Sequence, residues 1–145
     1  MGIEMKNEVF LDAAYAIALS VPKDLYHQHA ILLADRLEAA RTRLVTTRAV
    51  LLEIGNALSK LRYRYAAVEL LQALERDPQV MIVPLSEGLY GDAFALYVQR
   101  PDKEWGLTDC VSFVLMQQRR ITEALTTDEH FQQAGFRALL LNSFS

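Results

Sequence analysis

The sequence predicts a three-layer α/β domain with helices on both faces of a mostly parallel sheet of about five strands. Three observations point there. Five short β-branched or apolar runs are spread along the chain, and longer segments of helical period lie between them. Prolines 22, 78 and 101 punctuate the joins between elements.

The first strand is "EVFLD" (8–12). It leads into the longest apolar run, Ala13 to Leu19, which falls far short of the roughly 20 residues a membrane helix needs. A helical segment at 24–40 precedes the second strand, "RLVTT" (43–47), and two more, 48–61 and 63–76, separate it from "VMIVPL" (80–85). Helical segments at 87–99 and 108–119 then lead to "EALTT" (123–127), a short helix at 129–134 and the last strand, "RALLL" (137–141). With no internal repeat and no long linker, residues 1–145 read as a single domain.

Composition narrows the class. Hydrophobic residues make up 52% of the chain, ordinary for a compact domain with a sizeable core. Glu4 and Glu8 sit where a signal peptide would be basic, so the chain reads as cytoplasmic with no membrane partner. Met1-Gly2 suggests myristoylation, but Lys6 stands where that motif wants Ser or Thr. The single cysteine, Cys110, excludes an internal disulfide and a multi-thiolate metal site, so a metal would need oxygen ligands. Cys110 has an acid beside it, which argues against a nucleophilic thiolate. The net charge of −3 gives no broad basic field. One segment is nonetheless locally basic: Arg36, Arg41, Arg43, Arg48, Lys60, Arg62 and Arg64 stand against Glu38 and Glu53. Its plainest reading is a solvated helix face.

In parallel sheets ligands gather at the carboxyl ends of the strands, so the polar residues that follow each strand carry the argument. Asp12 closes the first strand and Asp128 follows the fourth. Thr108 suits an N-cap, which places Asp109 in the first turn of its helix, where the dipole favours an anion. On the helix after the second strand, Glu53 lies roughly 60° from Val50 and 40° from Ala57, in or beside the apolar stripe. Each acid has a bland alternative: Asp109 as a helix-start residue, Asp128 as the cap of the short helix, Asp12 as a partner of turn amides. If the four converge, each raises its neighbours' pKa, and a divalent cation relieves the repulsion. Mg²⁺ or Mn²⁺ suits carboxylate and water oxygens and leaves positions open to a phosphate, which points to phosphodiester hydrolysis.

The stretches "FLDAAYAIAL", "KDLYHQHA", "TTRAVLLEIGNALSK" and "AFALYVQRPDKEWGLTDCVSFVLMQQRRITEALTTDEHFQQAGF" resemble a PIN domain. The likeness covers almost the whole chain and is strongest from Ala93 to Phe136. It implies an α/β/α metal-dependent ribonuclease, similar to the VapC toxins of type II toxin-antitoxin pairs. It also implies an RNA substrate, a small antitoxin partner and a homodimer. The family's strand-one acid falls on Asp12, its helix acid on Glu53, its "TDC" acid on Asp109 and its "TxD" acid on Asp128. Many relatives follow the first acid with a hydroxyl, whereas this chain has Ala13 and Ala14. That departure supports the alternative, a non-catalytic PIN-like RNA- or protein-binding module. A phospho-acceptor receiver domain also gathers acids at strand ends, but no lysine follows the last strand here.

The remaining polar candidates divide simply. Arg48, at the start of the Glu53 helix, is a candidate RNA-phosphate contact. Thr126 and Ser112 are weaker candidates for contacts behind the acids, and His130 lies close to Asp128 without being counted as a ligand. His27 reads as a packing or hydrogen-bonding residue and His29 as solvated. Trp105 and Phe113 read as core.

Overall fold

The computed structural model describes residues 7–141, so Met1, Gly2, Glu4 and Lys6 lie outside the described residues. Twelve elements follow in order: β1 (Glu8–Leu11), α1 (Ala13–Ser20), α2 (His27–Ala39), β2 (Arg43–Thr47), α3 (Arg48–Ala57), α4 (Leu61–Arg76), β3 (Val80–Val83), α5 (Glu87–Gln99), α6 (Leu107–Arg119), β4 (Glu123–Leu125), α7 (Glu129–Gln133) and β5 (Arg137–Ala138). The five strands form one all-parallel sheet in the order β3-β2-β1-β4-β5. The α/β class, the five strands and the parallel sheet agree with the sequence.

Alternating strand residues feed two faces, as the two-residue period of a strand requires. Leu11, Leu44 and Val80 line one face together with Tyr15, Leu37, Leu70 and Leu74 of α1, α2 and α4. Phe10 points the other way and meets Phe131 of α7 at 6.2 Å between ring centroids. On that side Phe113 of α6 packs edge-on against Trp105 and Phe131, at 5.0 and 4.9 Å. Helix α3 touches both groups of helices, contacting α1 and α4 on one side and α6 on the other.

The helix the sequence reading did not name is α1. Its residues, AAYAIALS, are apolar nearly all round, and Ala13, Tyr15, Ala16 and Ala18 are buried. A fully buried helix has no polar stripe, so hydrophobic period cannot reveal it. Its carboxyl end is tied to α2 by His27, whose Nδ1 lies 2.7 Å from the Ala18 carbonyl. This is the hydrogen-bonding role expected of His27, whereas His29 is half-buried rather than solvated.

Several ends also differ. Helix α2 starts at His27, because Asp24 accepts a hydrogen bond from the Tyr26 amide at 2.8 Å and shapes a turn instead. Helix α3 stops at Ala57, and Leu61, expected on its buried face, opens α4 and is 91% exposed. Helix α6 starts at Leu107 with Gly106 as N-cap, two residues before the Thr108 cap expected. Strand β5 covers only Arg137–Ala138, and the chain turns away through Leu139 and Leu140.

The strand order sets the position of the functional cleft. From β1 the chain builds outward through β2 and β3, then returns to add β4 on the other side of β1. The carboxyl ends of β1 and β4 therefore flank a topological switch point, where successive connections diverge and leave a crevice. The Asp12 amide donates to the Leu125 carbonyl at 3.2 Å and joins the two ends.

Candidate active site

Asp12 is the N-cap of α1 and sits at the floor of the crevice, 7% exposed. Its Oδ2 accepts a hydrogen bond from the buried Thr126 hydroxyl at 2.7 Å. The same Thr126 oxygen accepts from the Asp128 amide at 3.0 Å, so one hydroxyl links the strand-one acid to the loop after β4. Thr46, from the neighbouring strand β2, donates to the Leu11 carbonyl at 2.7 Å and fixes the backbone just before Asp12. Thus a buried threonine on each side braces the end of β1.

Asp109 and Asp128 both carry the capping roles that sequence alone suggested, and both also face the crevice. Asp109 accepts from the Gly106 amide at 3.1 Å at the start of α6. Asp128 accepts from the His130 amide at 2.9 Å at the start of α7. Between them stands His130, its Nδ1 lying 3.1 Å from Asp109 Oδ2 and 3.3 Å from Asp128 Oδ1. With carboxylate oxygens as acceptors, Nδ1 is the donor. One ligand atom from each of Asp109, Asp128 and His130 falls within 4.8 Å of the others, an arrangement that can hold a metal ion.

Glu53 is on the rim, not within the buried stripe of α3, and it is solvent-exposed. A cleft of about 320 Å³ beside it is lined by Asn56, Leu85, Tyr90 and Thr108 among others. A second groove, of about 570 Å³ between α1, α2, α4 and the sheet, holds none of the four acids.

Electrostatics ties the four acids together. Burial, with repulsion from Glu53 and Asp109 and against the lowering effect of the Thr126 hydrogen bond, raises the Asp12 carboxyl to about 7. Loss of hydration raises Glu53, followed by repulsion from Asp109 and Asp128. Asp109 is raised by burial and then by Asp128, while its hydrogen bonds to His130 and the Gly106 amide oppose the shift. Neighbouring acids thus raise Asp12, Glu53 and Asp109, while among the described residues Asp109, Asp128 and His130 alone bring ligand atoms within 4.8 Å of one another, without Asp12 or Glu53. The available donors are mainly hard carboxylate oxygens, and a cluster short of positive charge fits a divalent cation.

Other candidates fall outside the cluster. Arg48 is ion-paired with Glu75 of α4. Ser112 donates to the Thr108 carbonyl one turn back at 3.2 Å, an internal helix bond. Cys110 is buried, and its thiol pKa is raised by burial and by Asp109, which suits an inert core residue. Ala13 and Ala14 offer Asp12 no hydroxyl, and the one that Asp12 accepts from belongs to Thr126. The threonine of "TTD" was visible in the sequence, but its pairing with Asp12, 114 residues away, was not.

Fold and site together define a parallel-sheet α/β/α domain with an acidic crevice at its carboxyl edge. The chain belongs to the PIN domain family, whose model matches residues 9–137. Among solved structures it is similar to VapC20 of Mycobacterium tuberculosis, described as a sarcin-ricin-loop-cleaving toxin. The identity is 26% and the TM-score 0.77, with 88% of this chain and 95% of that one covered. It also shares its fold with FitAcB from Neisseria gonorrhoeae, at 19% identity and a TM-score of 0.62 over 90% of this chain and 94% of that one. A search of curated proteins finds no match. No helix among the described residues is long and apolar enough to cross a membrane.

Proposed function

We propose that the chain is a metal-dependent endoribonuclease that hydrolyses RNA phosphodiester bonds, the toxin of a type II toxin-antitoxin pair. The observation that carries this reading is the grouping of acids at the carboxyl edge of the sheet, where Asp109, Asp128 and His130 bring ligand atoms within 4.8 Å of one another and Thr126 ties Asp12 to the Asp128 amide. Such a cluster is costly without a cation and has a use with one. In this reading the four carboxylates hold Mg²⁺ or Mn²⁺. A cation held there would supply the charge that acidifies an attacking water and offsets the developing leaving oxyanion.

The protein's own groups do the rest. Thr126 and the amides of Gly106 and His130 fix three of the carboxylates before substrate arrives, so little reorganisation is needed. Glu53, exposed on the rim of α3, would complete the acid set from the solvent side. His130 donates its Nδ1 hydrogen to Asp109, with Asp128 Oδ1 at 3.3 Å, and lowers the cost of ionising Asp109. Arg48 keeps N–H donors beyond its pair with Glu75 and would reach an RNA phosphate.

The likeness to VapC20, itself described as a toxin, supports a small antitoxin protein as partner. A homodimer is supported by the exposed apolar side chains of α5, Tyr90, Phe94, Tyr97 and Val98, which a second copy would cover. The direct test is incubation of unstructured and hairpin RNAs with the purified protein in Mn²⁺ or Mg²⁺, with and without EDTA. Internal cleavage that EDTA abolishes supports the proposal. RNA left intact under all these conditions overturns it in favour of a non-catalytic module.

A further inference from the structure

The turn between α3 and α4 carries a basic tip that the acidic cleft does not use. From Ile54 to Val68 the chain has no acid but three cations, Lys60, Arg62 and Arg64, in a protein of net charge −3. Among the described residues, none of these three pairs with a carboxylate, whereas Arg48, Arg100, Arg119 and Arg137 each do. Arg64 donates to the Ser59 carbonyl at 2.6 Å, and the Arg62 guanidinium lies 4.9 Å from the Tyr63 ring centroid. Both contacts orient a guanidinium without neutralising it. Tyr65 stands beside them, 77% exposed.

Helix α3 leads from the cleft toward the tip. Glu53 and Asn56 of α3 both line the cleft, and Asn56 lies nearly one turn further toward the tip. The helix ends one residue later, at Ala57, about 6 Å along the axis from Glu53. A strand whose scissile phosphate sat at the acids and that ran along α3 would bring neighbouring phosphates to Lys60, Arg62 and Arg64.

We propose that the α3–α4 tip is an RNA-binding arm: Lys60, Arg62 and Arg64 neutralise backbone phosphates a few nucleotides from the cleaved bond, and Tyr65 offers a face for base stacking. Single-stranded RNA is the occupant that the chemistry favours, because unpaired guanidinium and ammonium groups beside an exposed aromatic ring suit a polyanion with π-faces. This assignment rests on the ribonuclease reading.

The test compares wild type with Lys60→Gln/Arg62→Gln, which keeps the Arg64–Ser59 bond, and with Arg62→Glu/Arg64→Glu. Each is assayed for cleavage of a long unstructured oligoribonucleotide and of a trinucleotide. Binding of the long RNA is measured by fluorescence anisotropy in EDTA at several salt concentrations. We expect loss of two phosphate contacts to flatten the log–log salt slope by about 1.4 and to weaken binding of the long RNA by roughly tenfold to thirtyfold at 0.1 M salt. KM for the long RNA rises while kcat, and all constants for the trinucleotide, stay as in wild type. An unchanged affinity and salt slope in both variants overturns the arm but leaves the nuclease reading standing. Equal losses on both substrates overturn it too, because they mark a structural effect. If wild type neither cleaves nor binds RNA, the nuclease reading fails and the arm with it.

Discussion

Thr126 donates its hydroxyl hydrogen to Asp12 Oδ2 across 2.7 Å, so the ends of two adjacent parallel strands meet in one buried charge-assisted bond. Because Thr126 also accepts from the Asp128 amide, the position of both acids depends on it.

Thr126→Val removes the donor and leaves the Asp128 amide without its acceptor. Hydrogen bonds to charged groups contribute about 1.5–3 kcal/mol, so cleavage should fall roughly tenfold to a hundredfold. The lost bond lowers the Asp12 pKa in the wild type, so the acid limb of the rate profile should move to higher pH in the variant. Thr126→Ser should restore both rate and limb. An acid limb that stays in place in the valine variant would show that Asp12 does not govern it.

Asp12→Asn should abolish cleavage and at the same time stabilise the cation-free protein. In the fold the Asp12 carboxyl is raised from 3.8 to about 7. Between those values the native state holds a proton that the unfolded chain has released, so stability declines as pH rises through this window. The asparagine variant lacks that slope. Urea titrations in EDTA should show wild type losing on the order of a few kcal/mol relative to Asp12→Asn between pH 4 and pH 8. Parallel stability curves for the two proteins would contradict the raised pKa.

The fold and the placement of the candidate acids were legible in the sequence for different reasons. Strands β1 to β4 are short β-branched or apolar runs with a clear start, and their order required a largely parallel sheet. Asp12, Asp109 and Asp128 were found because each follows a strand or opens a helix, places that topology brings to one edge. Glu53 was found by its angle to Val50, but the same angle suggested a burial it does not have, because α3 packs through a narrower stripe. What local pattern could not supply were contacts between distant segments. The Thr126 bond to Asp12 and the seat of His130 between Asp109 and Asp128 exist only once β1, β4, α6 and α7 are assembled.

Mn²⁺ should raise the melting temperature of wild type, and more at pH 8 than at pH 6. A cation binds the ionised carboxylates, and the raised pKa of Asp12 makes protons compete with it as pH falls. At a hundredfold excess over Kd the gain in stability is about 2.7 kcal/mol. Asp109→Asn or Asp128→Asn should reduce the shift strongly, and EDTA should reverse it in wild type. Equal shifts in all three proteins would place the ion elsewhere.

Phe113 connects the core to the site through ring contacts. It lies one turn after Asp109 on α6, and its ring meets Phe131 of α7 at 4.9 Å, Trp105 at 5.0 Å and Phe136 at 5.7 Å. Those contacts set how α6 rests on α7, and hence the spacing of Asp109 from Asp128 and His130. Phe113→Ala opens a cavity among these rings and should cost about 3–5 kcal/mol. Phe113→Leu keeps more of the volume and should cost less. Trp105, the only tryptophan, is buried against Phe113, and its Nε1 donates to Gln133 Oε1 of α7 at 3.0 Å. Its emission should shift to longer wavelength in the alanine variant as water reaches the cavity. If the ring cluster fixes the acids, folded Phe113→Ala protein should bind Mn²⁺ more weakly than wild type, with the leucine variant between them. Loss of stability with unchanged Mn²⁺ affinity would confine Phe113 to the core and leave the capping bonds of Asp109 and Asp128 to hold the site alone.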